Sequence, residues 1–304
     1  MLKTLFHTAL CLLAAGCASR SPGVDSQVVR VGSGSIRVEM VASLPLPPAA
    51  VLEWVGRAAQ AATVYLGGFP VKRLLVVVRG GGERPVGEGV AHGASRIDVR
   101  LGPSARVADL EGDWVLTHEM FHLAFPTLER RYSWMMEGLS DYLEPIARAR
   151  AGQWPARAAW REFVEGLPQG LPGPGEDGLD GTRRRERIYW GGNIYWLLVD
   201  VSIRVQTDNR RGLEDAIKAI LQAGGNGGAR WPLERVLAIG DEATGTTALK
   251  DWYEKLGRQR GDVDLDKLWK KLGVRYRGGA VDFDDTAPWA KYRAAITEPA
   301  GRGR

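Results

Sequence analysis

The segment His118-Glu119-Met120-Phe121-His122 constrains this chain more than any other. Two histidines four residues apart lie on one face of an α-helix, about one turn from each other. Both imidazoles can then reach one Zn²⁺. Glu119 is offset by one position, which sets its carboxylate beside the metal's water rather than on the metal. Zinc lowers the pKa of that water, and a carboxylate there can take its proton. The neighbours Trp114-Val115-Leu116 and Leu123-Ala124-Phe125 are apolar, as a buried helix requires, and Pro126 closes the pattern. The spacing predicts a helix over 109–125. Only four histidines occur in the chain, and two of them stand in this motif.

A hydrolytic zinc needs a third protein ligand and an open position for water. Glu137 fits the first need, because it is embedded in the apolar run Trp134-Met135-Met136-Glu137-Gly138-Leu139. A carboxylate in such surroundings is costly unless paired or metal-bound. Asp141, four residues on, shares its helical face. The two carboxylates suit different tasks: Glu137 on the metal, and Asp141 accepting a hydrogen bond from a ligand histidine's other nitrogen.

Elsewhere the pattern reads as α+β. Residues 27–45 alternate as one or two strands around the Gly32-Ser33-Gly34 turn, 49–65 have helical spacing, and 71–79 and 96–101 read as strands separated by the glycine-rich 80–89. From about Asp109 the expected elements are helices: 109–125, 134–150, 155–166, 185–206, 212–223, 244–256 and 264–272. The expected organisation is a leader over 1–17, a tether over 18–26, an α/β subdomain over 27–108 and a helical subdomain over 109–304. The net charge of +5 comes without a basic stripe interleaved with aromatics, so nucleic-acid binding is not expected, and Arg183-Arg184-Arg185-Glu186-Arg187 reads as a solvated run. Most of the eleven tryptophans fall at helical core spacing. The Gly- and Pro-rich stretch 167–184 reads as a surface insertion beside the site.

His118 to His122, followed fifteen residues later by Glu137-Gly138, resemble the gluzincin metallopeptidases, most nearly the M61 glycyl-aminopeptidases and more distantly the M1 aminopeptidases. Trp134, Glu137, Gly138 and Tyr142 match their Trp-x-x-Glu-Gly-x-x-x-Tyr pattern, and Asp141 matches the Glu-x-x-x-Asp of thermolysin-like members. The resemblance implies a mixed sheet followed by a helical domain, with zinc in the cleft between them, and a peptide or protein substrate. The run Tyr189 to Arg204 is similar to the family helix whose tyrosine faces the zinc and donates to the oxyanion. That makes Tyr189 the candidate donor and leaves Tyr195 as its competitor, with Gly191 standing where the family carries lysine. These families also carry a Gly-x-x-Glu-type edge strand that holds the substrate's backbone or amine. The corresponding 87–95 has no glutamate after Gly89-Val90-Ala91 and offers His92 instead, which argues against an aminopeptidase.

At the N-terminus, Lys3 and the apolar 5–15 form a leader too short to span a bilayer. Its end, Leu13-Ala14-Ala15-Gly16-Cys17, resembles the lipobox of bacterial lipoproteins. That resemblance implies a lipid on Cys17, attachment to a membrane and, with Ala18-Ser19 next, the outer membrane of a Gram-negative cell envelope. Cys11 lies in the leader, so the remaining chain has no cysteine for a nucleophile or thiolate site. The expected function is zinc-dependent peptide hydrolysis. The alternative is a non-catalytic, zinc-containing lipoprotein that binds peptide or an envelope partner.

Overall fold

Alternation of apolar residues in three consecutive strands builds the first layer. The computed structural model describes residues 24–41 and 44–298; the expected leader, Cys17 and residues 18–23 of the expected tether lie outside them. Strands β1 (Val24–Val31), β2 (Gly34–Val41), β3 (Arg73–Gly80), β4 (Val86–His92) and β5 (Arg96–Leu101) form one sheet in the order β1-β2-β3-β5-β4. The sheet is mixed: β2, β3 and β5 run parallel, while β1 and β4 are antiparallel edge strands. Register places Ile36, Val38 and Met40 beside Leu74, Val76 and Val78. It also sets Val76 and Val78 beside Ile97 and Val99, so the buried side chains form one stripe. Helix α1 (Pro48–Leu66) packs into the same core through Val51, Trp54, Val55 and Tyr65, and stops at Gly67, whose φ of 75° makes the left-handed cap.

The remaining elements are mostly helical. They are α2 (Val107–Glu111), α3 (Val115–His122), α4 (Ser133–Arg150), α5 (Ala156–Gly166), α6 (Gly192–Thr207), α7 (Leu213–Gln222), α8 (Leu233–Thr244), α9 (Ala248–Trp252), α10 (Leu265–Leu272) and α11 (Ala290–Thr297). A π-helical turn over Arg187–Gly191 leads into α6. The α+β reading therefore holds, with four corrections. Residues 24–26, expected in a tether, already pair with Val41, Met40 and Glu39. The helix expected over 109–125 is two, broken at Gly112 because Asp113 caps the next helix instead. Helices α8 and α11 were not expected. Nor was the hairpin of β6 (Val274–Arg277) and β7 (Ala280–Phe283), whose two-residue Gly278-Gly279 turn has positive φ at both positions. Among the described residues no helix is long and apolar enough to cross a membrane.

Candidate metal centre

Helix α3 is held at both ends by contacts from distant parts of the chain. Asp113 accepts the free N–H groups of Val115 (3.0 Å) and Leu116 (3.1 Å), satisfying first-turn donors, and accepts Trp54 Nε1 of α1 at 2.8 Å. At the other end Gly227 N donates to Leu123 O at 3.1 Å and Thr127 N to Ala229 O at 2.8 Å, which turns the chain away before Pro126. Every residue of α3 before His122 is buried.

The helix presents His118 and His122 to Glu137 of α4. Their facing atoms form a small triangle: His118 Nε2 lies 3.2 Å from His122 Nε2 and 3.3 Å from Glu137 Oε2, and His122 Nε2 lies 3.5 Å from the same oxygen. Ligand atoms at 2.0–2.1 Å from one tetrahedral zinc are separated by about 3.3 Å, so these three fit three corners of such a site. The carboxylates around this triangle favour positive charge at its centre. Burial pushes the His118 imidazole down, but the carboxylates of Asp141 and Glu137 outweigh it and raise its pKa to about 10. Burial pushes Glu137 up, yet His118 and His122 hold it well below the usual carboxylate range. Each imidazole has a partner near its far nitrogen: His118 Nδ1 lies 3.0 Å from Asp141 Oδ1, an ion-pair distance at an angle outside hydrogen-bond geometry, and His122 Nδ1 lies 3.4 Å from Ser140 Oγ. Ser140 was missed in the sequence, although Glu137, Ser140 and Asp141 follow one another at i, i+3 and i+4 on one helical face.

Glu119 sits beside the triangle, 8% exposed, and its Oε2 accepts Ala91 N of β4 at 2.8 Å. Tyr189 comes from the π-helical turn, its ring nearly parallel to that of His118 (26°) with centroids 6.2 Å apart. Burial, then the negative charges of Glu137 and Asp141, push its phenol up to about 12, so it remains a hydrogen-bond donor. Glycines place this turn. A Cβ on Gly138 would lie 2.3 Å from Gly192 C, and one on Gly192 1.9 Å from Trp134 O, so α4 and the start of α6 touch backbone to backbone. At Gly191 a Cβ would lie 2.7 Å from Leu179 Cδ2 and 3.2 Å from Gly170 O, so any side chain there requires the leucine to move. The stretch 167–184 packs behind the turn: Gly170 touches Trp190 and Gly191, and Arg184 donates to Gln169 O and Leu171 O.

Two candidates fall outside the centre. Tyr195 is fully buried and donates to Leu249 O at 2.8 Å, so it does not compete with Tyr189. His92 is half exposed, with Nε2 2.9 Å from Asp98 Oδ2 on the neighbouring strand, and it does not line the cleft. The cleft itself, about 500 Å³, runs between β4 and helices α3 and α4 and is walled by Trp114, Val90, Met136 and Tyr189. A second chamber of about 600 Å³ adjoins it, sharing Trp114, Arg185 and Tyr189 and lined by Glu144, Glu162 and Glu165. Trp114 is 45% exposed at the shared rim, unlike the tryptophans of the core.

No family model matches this chain, and no curated protein matches it in sequence. Solved structures do match its fold. An aminopeptidase N family protein from Idiomarina loihiensis aligns over 83% of this chain and 49% of its own length, with a TM-score of 0.65 and 12% identity. An M1 zinc metallopeptidase from Deinococcus radiodurans aligns over 80% of this chain and 54% of its own length, at 0.52 and 16%. Legionella pneumophila aminopeptidase A, solved with aspartic acid, aligns over 78% of this chain and 28% of its own, at 0.50 and 14%. The chain thus spans about half the length, or less, of the structures it resembles, and at these identities the likeness is one of fold.

Proposed function

We propose that this protein is a zinc-dependent peptidase. The observation that carries the reading is the triangle of His118, His122 and Glu137 with the Glu119 carboxylate beside it. A zinc ion held by His118, His122 and Glu137 would supply a Lewis acid for the scissile carbonyl and would acidify the attacking water. Glu119 accepts that water's proton and returns it to the leaving amine. Tyr189 donates its phenolic hydrogen to the oxygen on which negative charge develops. Asp141 and Ser140 hold the histidines in the orientation the ligands need. The fold likeness to M1 zinc metallopeptidases supports the hydrolase reading. The narrower M61 placement rests on Trp134, Glu137, Gly138, Tyr142 and the run from Tyr189.

The test is zinc content together with hydrolysis of an unbiased peptide library, on the protein and its Glu119→Gln variant. One zinc per chain in both is expected, with turnover lowered about 10²- to 10⁴-fold in the variant. Equal turnover in the two would remove Glu119 from the base role. Zinc in both with cleavage in neither would favour a peptide-binding module instead.

The lipid anchor belongs to the same proposal. Cys17, at the end of the lipobox-like segment, is the acylated residue, and its lipid ties the peptidase to the cell envelope, at the outer membrane in a Gram-negative host. Palmitate labelling in the native host should mark the protein and be lost in Cys17→Ser; label retained in the variant would overturn the assignment.

A further inference from the structure

Strand β4 is one of the sheet's two edges, and edge strands carry backbone N–H groups that no neighbouring strand accepts. One of these, Ala91 N, is directed at Glu119 Oε2 across 2.8 Å. Two residues earlier on the strand, Gly89 faces the same side chain. A Cβ there would lie 2.5 Å from Glu119 Cγ, 3.1 Å from its Cδ and 2.9 Å from Val115 Cγ1. Between them the strand leaves room for the Glu119 stem at one position and anchors its carboxylate at the next.

We infer that β4 is the positioning element for Glu119: Ala91 N–H fixes Oε2, and the missing side chain at Gly89 admits the carboxylate to its place beside the metal ligands. This rests on the peptidase reading only for its catalytic consequence. The physical reason is direct. A backbone N–H to a carboxylate is a charge-assisted hydrogen bond, and it comes from a sheet rather than a mobile side chain. It leaves the other carboxylate oxygen, Oε1, free of that contact. Holding a reacting group still within a fraction of an ångström is worth large factors in rate, and displacing it by about 1 Å costs about 10²-fold. The glycine-rich character of 87–93 then has a use in this chain that does not depend on any contact to substrate.

The contact can be read without turnover. Amide exchange at Ala91 should be slow in the zinc-loaded protein and fast in Glu119→Ala; fast exchange in both overturns the inference even if the protein proves inactive. Its effect on rate is read in three variants. Ala91→Pro removes the N–H, Gly89→Ala crowds the Glu119 stem, and Ala91→Gly keeps the N–H. The first two should retain one zinc and the parental KM while kcat falls about 10- to 100-fold; Ala91→Gly, which keeps the N–H, should lose clearly less than Ala91→Pro. Unchanged kcat in Gly89→Ala, or an equal loss in Ala91→Gly, would overturn the positioning role. If Ala91→Pro fails to fold, Gly89→Ala and the exchange measurement still decide the question. A protein with a slow Ala91 amide and no turnover would overturn the peptidase reading while leaving the contact established.

Discussion

Asp141 and Ser140 are adjacent residues that support the two histidines unequally. Asp141 places a carboxylate 3.0 Å from His118 Nδ1, whereas Ser140 offers His122 Nδ1 a neutral hydroxyl at the longer distance of 3.4 Å. A carboxylate behind an imidazole raises its basicity as well as fixing its ring, and loss of such a partner costs about 10- to 100-fold in metal affinity. Asp141→Asn should therefore weaken zinc binding by about that factor in a chelator competition, and Ser140→Ala by clearly less. Equal losses would mean that ring orientation alone matters. Legibility at this scale followed sequence distance. His118, Glu119 and His122 lie within five residues, and Glu137 and Asp141 share one helical face, so a single periodicity places each set. The contact from Ala91 to Glu119 spans 28 positions and uses a backbone N–H, which no side-chain pattern encodes. Tyr189 was reached only through the family likeness, because its place depends on the π-helical turn.

At the scale of elements, glycines that look like helix breakers are in fact contact points. Gly138 lies inside α4 and meets the backbone of Gly192. Gly240 lies inside α8, where a Cβ would stand 2.5 Å from Leu249 Cδ2 of α9. The hairpin of β6 and β7 is legible in the sequence, since Gly278-Gly279 between two short alternating runs is a turn signal. Gly138→Ala should force α4 and α6 apart, costing about 1–3 kcal/mol of stability through overpacking. Because Tyr189 precedes Gly192 by three residues, kcat should fall with it while zinc content stays at one per chain. A variant with parental melting temperature would show that the two backbones can separate freely. Helices α4, α6 and α7 are also joined by charge, for Glu214 of α7 pairs with Arg150 and Arg204. Burial pushes Glu214 up, but Arg150 and then Arg204 outweigh it and bring it down to about 2 from an ordinary 4.5. A carboxylate whose native pKa is depressed contributes stability that is present above the unfolded pKa and lost as pH falls through the native one. Stability should thus drop between about pH 4.5 and pH 2, and Glu214→Gln should flatten that part of the pH profile in thermal melts.

For the whole molecule, the question is whether the sheet and the helices unfold together. The α/β subdomain expected over 27–108 and the helical subdomain expected over 109–304 share their buried apolar residues, which form one continuous cluster. It runs from Ile36 and Val76 of the sheet, through Trp54 and Tyr65 of α1, to Phe121, Trp134 and Trp196 of the helices. The candidate centre straddles the same boundary, since Glu119 is tied to β4 and the three ligand atoms come from α3 and α4. A core shared in this way makes each part the other's solvent shield, so neither should keep its structure alone. We expect one cooperative transition by calorimetry, coincident with loss of near-ultraviolet dichroism, and no folded state for a fragment of 27–108. Zinc bound only by the native state adds about 4 kcal/mol at a free concentration a thousand times Kd, a shift of about 5–10 °C in melting temperature. Chelation should accordingly move the single transition downward as a whole. Two transitions, with only the later part of the chain responding to chelator, would instead show that the sheet with α1 is an independent unit and that its contact to Glu119 is made between domains.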